Sequence, residues 1–130
     1  GFYTNENSQK GSELAKNPHV SLCIYWMPLG RQIRIGGIAN TLPGHKADAY
    51  FATRSRASQL GAWASAQSHP LENREALLER YKAAEEKFKN SDVQRPPYWS
   101  GWLVVPSTIE FWQEGAHRLH HCGDRLAGRA

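Results

Sequence analysis

Apolar and polar positions alternate in blocks whose period changes along the chain. Phe2-Tyr3-Thr4 has the composition of a strand, and Lys10–Lys16 predicts a short helix that stops at Asn17-Pro18. The stop follows because a residue before proline avoids the α region. His19–Trp26 is a β-rich run expected to be buried on both faces. Pro28-Leu29-Gly30 signals a turn, and Gln32-Ile33-Arg34-Ile35 alternates as a half-exposed strand does. The two runs together predict a hairpin, with a bulge at Gly36-Gly37.

Helical spacing takes over after that. Ala47–Thr53 and Ser58–Ser65 predict short helices around a polar Arg54-Ser55-Arg56 link. Asn73–Asn90 predicts a longer one, capped by Asn73, with Leu77, Leu78, Tyr81, Ala84 and Phe88 on one face. Trp102–Val105 and Thr108–Trp112 then read as two strands separated at Pro106-Ser107. The order β, β, helices, β, β predicts a mixed α+β domain built on an antiparallel sheet or barrel. Its 130 residues suit one domain with a real core. Because the chain opens at Gly1, already next to a strand, the expectation is a single domain over residues 1–130 that lacks N-terminal strands.

Composition narrows the function classes only a little. The net charge of +4 comes from scattered Lys and Arg rather than a dense basic block, which disfavours a nucleic-acid binder. No apolar run approaches the roughly 20 residues of a membrane span. Two cysteines, Cys23 and Cys122, do not make a disulfide framework, and a cytoplasmic setting is expected.

Candidate chemistry is of the binding kind. His117, His120, His121 and Cys122, with Asp124 nearby, are the densest set of possible metal ligands, but they lack paired ligand spacing, and no metal is expected. Hydroxyls, amides and cations at Tyr3, Thr4, Ser8, Lys10, Arg54, Ser58, Gln67, Ser68, Arg118 and Arg125 are groups that hold phosphate oxygens. The five tryptophans could stack on a planar ring, or simply fill the core.

The order of several segments is more specific. Gly1-Phe-Tyr-Thr-Asn, Ser8-Gln-Lys-Gly11, Asn17-Pro18 and Pro28-Leu-Gly-Arg-Gln32 come first. Ser55-Arg-Ala-Ser-Gln-Leu-Gly-Ala-Trp63, Gln67-Ser68, Ile109-Glu-Phe-Trp-Gln113 and Arg118-Leu-His120 follow. Together they resemble the pyridoxamine/pyridoxine 5′-phosphate oxidase family from residue 1 to about residue 125. The resemblance implies a split β-barrel of Greek-key type with flanking helices, a homodimer, and flavin mononucleotide (FMN) as cofactor. It implies oxidation of pyridoxamine or pyridoxine 5′-phosphate to pyridoxal 5′-phosphate with oxygen as acceptor.

Carried over residue by residue, Tyr3, Thr4, Lys10, Gln32, Gln67, Ser68, Trp112 and Arg125 fall on cofactor-binding positions. Tyr50, Arg54 and Ser58 fall on positions that hold the substrate phosphate. Arg118 and His120 fall on the catalytic pair that embraces the pyridine ring. The sequence departs from the family pattern at Gln9, usually Arg, and at His121-Cys122-Gly123, which interrupts Arg-Leu-His-Asp-Arg and shifts the register of Arg125. Gln9 favours a phenazine-pathway flavin oxidase as the runner-up. A non-catalytic protein holding FMN or pyridoxal phosphate, or an inactive fragment, is the rival of a different class.

Overall fold

The computed structural model describes residues 1–126, Leu126 by its backbone alone. The chain divides into two compact units, one of residues 1–16 and 41–103, the other of residues 17–40 and 104 onward.

In the first unit, strand β1 (Phe2–Asn5) pairs antiparallel with the start of strand β4 (Trp99–Gln113), Phe2 opposite Trp102 and Asn5 opposite Trp99. Helix α1 (Gln9–Lys16) follows β1 through a turn in which Ser8 Oγ donates to Asn5 O (2.6 Å) and accepts from Gly11 N (3.2 Å). Helix α2 (Gly44–Thr53) ends where Arg54 turns extended, and Ser55 restarts the chain as the N-cap of helix α3 (Arg56–Ala64). Helix α4 (Arg74–Lys87) is capped by Asn73, whose Oδ1 accepts from Ala76 N at 2.8 Å, as the sequence predicts.

The core of this unit is Phe51, Leu60, Ala84, Phe88, Val93 and Trp99, with Tyr3, Trp63 and Tyr81 packed against it. Leu78 departs from the expected apolar face of α4 and is exposed. One residue beyond Leu77, it is turned about 100° away from the 77-81-84-88 stripe.

The second unit is a β structure. Strand β2 (His19–Trp26) and strand β3 (Arg31–Thr41) form the expected hairpin, joined by a 3₁₀ turn at Met27–Leu29. Gly30 ends that turn with φ +55, where a side chain would be strained and would also meet Glu114 at 2.9 Å. β4 lies beside β3, and strand β5 (His121–Leu126) pairs antiparallel with β4, Trp112 opposite Cys122 and Ile109 opposite Arg125.

Three expectations are corrected in this unit. β2 is not buried on both faces: Ile24 and Trp26 are more than 40 % exposed. Tyr25, on the opposite face, is exposed as well, so the β-branched and aromatic content of this end strand marks strand propensity rather than burial. No bulge interrupts the β2–β3 ladder, which runs unbroken from His19 opposite Ile38 to Trp26 opposite Arg31. The glycines serve close packing instead, for a Cβ on Gly37 would come within 2.2 Å of Val105 O. Finally, Trp102–Val105 and Thr108–Trp112 belong to one strand, β4. Pro106 precedes the β5 ladder, which begins at Thr108.

Candidate functional site

In the first unit the break between α2 and α3 shapes a cavity of about 340 Å³. Arg54, Ser58, Gly61, Gln67, Asn5 and Trp99 line it. Tyr50, Arg54 and Ser58 therefore do not share one helical face: Tyr50 is in α2, Arg54 in the link, and Ser58 in the first turn of α3. There Ser58 N donates to Ser55 Oγ (3.3 Å), and the two hydroxyls lie 2.9 Å apart.

Arg54 is held by aromatic faces. Its guanidinium carbon is 5.2 Å from the centre of the Trp99 ring and 5.8 Å from that of Phe51. Its Nη1 is buried and has no partner among the described residues. An unpaired cationic donor carries a desolvation cost that an anion in the cavity would relieve.

Trp99 in turn closes an aromatic stack. Tyr3 stacks with both Tyr50 (centroids 4.1 Å apart, 4° between planes) and Trp99 (4.8 Å, 9°), which are themselves 6.2 Å apart and nearly parallel. Thr4 is buried, with Oγ1 donating to Gln67 Oε1 (3.5 Å), and the same Oε1 accepts from Asn5 N at 3.3 Å. Ser68 follows with φ +66. Lys10 is exposed on α1, its Nζ 5.7 Å from the centre of the Phe2 ring.

In the second unit Gln32, Trp112 and Arg125 line one cavity of about 510 Å³ together with Trp26, Arg31 and Phe111. The His121-Cys122-Gly123 segment is absorbed into β5, which brings Arg125 to the same cavity as Gln32 and Trp112. His120 packs against Trp112 (4.8 Å between centroids), and its Nδ1 accepts from Gly115 N at 3.3 Å. Arg118 is exposed, with φ +66, next to His117 at φ +57. Among the described residues, the non-glycine positions with positive φ are Ser68, His117 and Arg118, and two of them are residues expected to act in the site. Backbone strain of this kind concentrates where function over-determines conformation.

The histidine-rich segment does not assemble as the sequence grouped it. The potential ligand atoms that converge are those of Glu110, Cys122 and Asp124, within 4.8 Å of one another, and Glu110 is already bound to Arg34 (3.3 Å). Local desolvation, then the Glu110 and Asp124 carboxylates, push the Cys122 thiol above its ordinary pKa, against the pull of Arg34.

Five residues of the first cavity are absent from the site residues expected from the sequence: Asn5, Gly61, Ala62, Ser65 and Trp99. Only Gly61 carries a signal in the sequence, as an isolated glycine inside a helical pattern.

Comparison with known proteins agrees with the resemblance. A family model described as pyridoxamine 5′-phosphate oxidase matches residues 1–88. A second, described as the pyridoxine 5′-phosphate oxidase C-terminal dimerisation region, matches residues 99–126. The chain is 57% identical over 119 residues to a pyridoxine/pyridoxamine 5′-phosphate oxidase of Sphingopyxis alaskensis, covering 92% of this chain and 55% of the relative. It is 53% identical over 119 residues to that of Gluconobacter oxydans, covering 92% and 60%. It thus spans little more than half the length of these relatives.

Among solved structures, PhzG of Burkholderia lata, in complex with tetrahydrophenazine-1-carboxylic acid, superposes with a TM-score of 0.89 at 31% identity, covering 98% of this chain and 62% of that one. A pyridoxamine 5′-phosphate oxidase-related, FMN binding protein of Nostoc punctiforme shares the fold, with a TM-score of 0.62 at 14% identity, over 97% of this chain and 72% of that one. The α+β split-barrel fold class expected from the sequence therefore holds. Two family models covering most of the chain in order make the conclusion plain: the chain belongs to the pyridoxamine 5′-phosphate oxidase family.

Proposed function

We propose that this chain is the ligand-binding part of an FMN-dependent oxidase that converts pyridoxamine or pyridoxine 5′-phosphate to pyridoxal 5′-phosphate, with oxygen as the electron acceptor. The observation that carries the reading is Arg54. It has a buried, unpartnered Nη1, lines a cavity together with the Ser58 hydroxyl, and is seated on Trp99. A phosphate monoester supplies the acceptor oxygens that this arrangement lacks. Tyr50, in the same aromatic cluster though outside the cavity lining, is the third residue of the proposed phosphate site.

FMN fits the donors present. Lys10, Gln67 and Ser68 offer ammonium, amide and hydroxyl groups suited to a phosphate and polar ring edges, and the buried Thr4 hydroxyl orients Gln67. Gln67 spends its Oε1 on Asn5 and Thr4, which leaves the amide nitrogen as the donor. Tyr3 contributes beside them, its ring held by stacking with Tyr50 and Trp99. In the second unit Gln32, Trp112 and Arg125 offer an amide, an aromatic face and a cation on one cavity. When bound, FMN supplies the two-electron acceptor that relays electrons to oxygen. The chain's own residues bind and orient: Arg118 and His120 hold the pyridine ring. With Nδ1 accepting from Gly115, a neutral His120 carries its proton on Nε2 and presents it as a donor.

Homodimerisation is part of the same proposal. It is supported by the match of residues 99–126 to a dimerisation region and by exposed Ile24, Trp26, Met27 and Phe111 in the second unit. A cytoplasmic location is proposed from two free, exposed cysteines, and no helix among the described residues is long and apolar enough to cross a membrane.

A phenazine-type oxidase is the second reading, favoured by the 31% identity to PhzG and by Gln9. Gln9 Nε2 donates to Glu13 Oε1 within α1 (2.8 Å), and a neutral amide lacks the charge of a phosphate-binding arginine. Titration with pyridoxal 5′-phosphate and with a phosphate-free aromatic carboxylate separates the two. The B6 reading expects binding of the phosphate ester that Arg54→Ala weakens about 10- to 100-fold. Binding of the carboxylate alone contradicts it.

A further inference from the structure

We propose that Gly61 is a specificity-determining residue, kept without a side chain so that the organic body of a phosphate monoester can lie along α3. The inference rests on the phosphate reading of the Arg54–Ser58 cavity and goes one step beyond it.

Glycine in a helix interior is unfavourable relative to alanine, because it gives up more backbone freedom on folding. Gly61 lies inside α3 (Arg56–Ala64) and its carbonyl accepts the bond from Ser65 N that ends the helix (3.0 Å), so it is neither a cap nor a break. Packing does not require it either. A Cβ built there meets no atom within 4 Å, whereas at Gly37 it would come within 2.2 Å of a carbonyl oxygen. Its φ is not in the left-handed region, which among the described glycines Gly30 occupies. The usual reasons for a helical glycine are therefore missing.

What Gly61 does border is the cavity. It lines the space shared by Arg54, Ser58 and Trp99, one turn beyond Ser58 and about one turn before Ser65, which also lines it. From Ser58 to Ser65 the helix advances about 10 Å. With the phosphate held at Arg54 and Ser58, the remainder of the ligand runs past the bare backbone of Gly61 toward Ser65. Trp99 forms part of the lining as well. A side chain at residue 61 takes up that space while leaving the anchoring groups untouched.

Three proteins test this: wild type, Gly61→Ala and Gly61→Leu, each measured by thermal melting and by ³¹P NMR titration with inorganic phosphate and with pyridoxine 5′-phosphate. Gly61→Ala is expected to raise Tm by about 2–5 °C. Gly61→Leu is expected to bind inorganic phosphate within about twofold of wild type and to lose at least about tenfold in affinity for the ester, as filling the ligand's space requires. A fall in Tm for Gly61→Ala overturns the inference by showing that the fold needs the glycine. So does equal binding of the ester by wild type and Gly61→Leu, or an equal loss of both ligands. If wild-type protein binds neither ligand, the phosphate reading itself fails, and this inference fails with it.

Discussion

Arg54 lies with its guanidinium carbon 5.2 Å from the centre of the Trp99 ring, and that ring belongs to a cluster of near-parallel aromatics with Tyr3 and Tyr50. Two residues assigned to a phosphate and one assigned to a cofactor are thereby tied to a tryptophan of the core. The stack explains how a cation can stand at a cavity wall with a buried nitrogen unpartnered. The aromatic face offsets part of its desolvation, and the rest awaits an anion.

Replacing Arg54 should therefore act on binding more than on folding. Arg54→Ala is expected to weaken phosphate-ester binding about 10- to 100-fold, the worth of one or two charge-assisted hydrogen bonds. Arg54→Lys should recover only part of that, since a point charge cannot reproduce the planar fork on Trp99. Calorimetric titration of the three proteins checks the order.

Trp99 should be expensive to truncate. It is buried in the main core of the first unit and contacts both Tyr3 and Phe51. Trp99→Leu is expected to cost about 3 kcal/mol of stability and Trp99→Phe less, read by urea denaturation. Trp99→Phe, which keeps an aromatic face under Arg54, should also keep more of the ester affinity than Trp99→Leu at a denaturant concentration where both are folded.

The strained Ala116–Arg118 turn makes an opposite prediction. His117→Gly removes a side chain from a left-handed residue and should stabilise the protein by up to about 1 kcal/mol. Arg118→Ala leaves that strain in place and should reduce turnover far more than FMN affinity. Equal losses in both would remove Arg118 from the catalytic role.

Cys122 offers a pH-dependent readout. Because its thiol is pushed up, less thiolate is present at a given alkaline pH than for an ordinary cysteine. Glu110→Gln removes one of the raising charges and frees Arg34, which lowers the pKa. The variant is expected to alkylate faster with iodoacetamide at pH 8, and an unchanged rate would show that Glu110 does not act on the thiol.

Local signals in the sequence are strong where one residue decides an outcome. Asn73 as a cap, Asn17-Pro18 as a stop and Pro28-Leu29-Gly30 as a turn all fall where the chain places them. Signals fail where a neighbouring strand decides. The apolar content of β2 reads as burial, yet Ile24, Tyr25 and Trp26 are exposed on both faces of the strand. Gly36-Gly37 reads as a bulge, but the cause is β4 lying close by. His121–Leu126 is polar enough to hide a strand that only its pairing with β4 reveals. In the candidate site the family resemblance named Arg54 and Ser58. Trp99 could not be told from the other four tryptophans, because its role comes from stacking between distant segments.

The central claim is that the chain holds FMN and a B6 phosphate ester in a productive arrangement. Absorbance spectra of the purified protein, titrated with FMN and then anaerobically with pyridoxine 5′-phosphate, test it most directly. The account predicts flavin bands that shift on binding, bleach on addition of the ester, and return with oxygen. Bound flavin that stays yellow in the presence of bound ester would contradict the oxidase reading and leave a binding protein in its place.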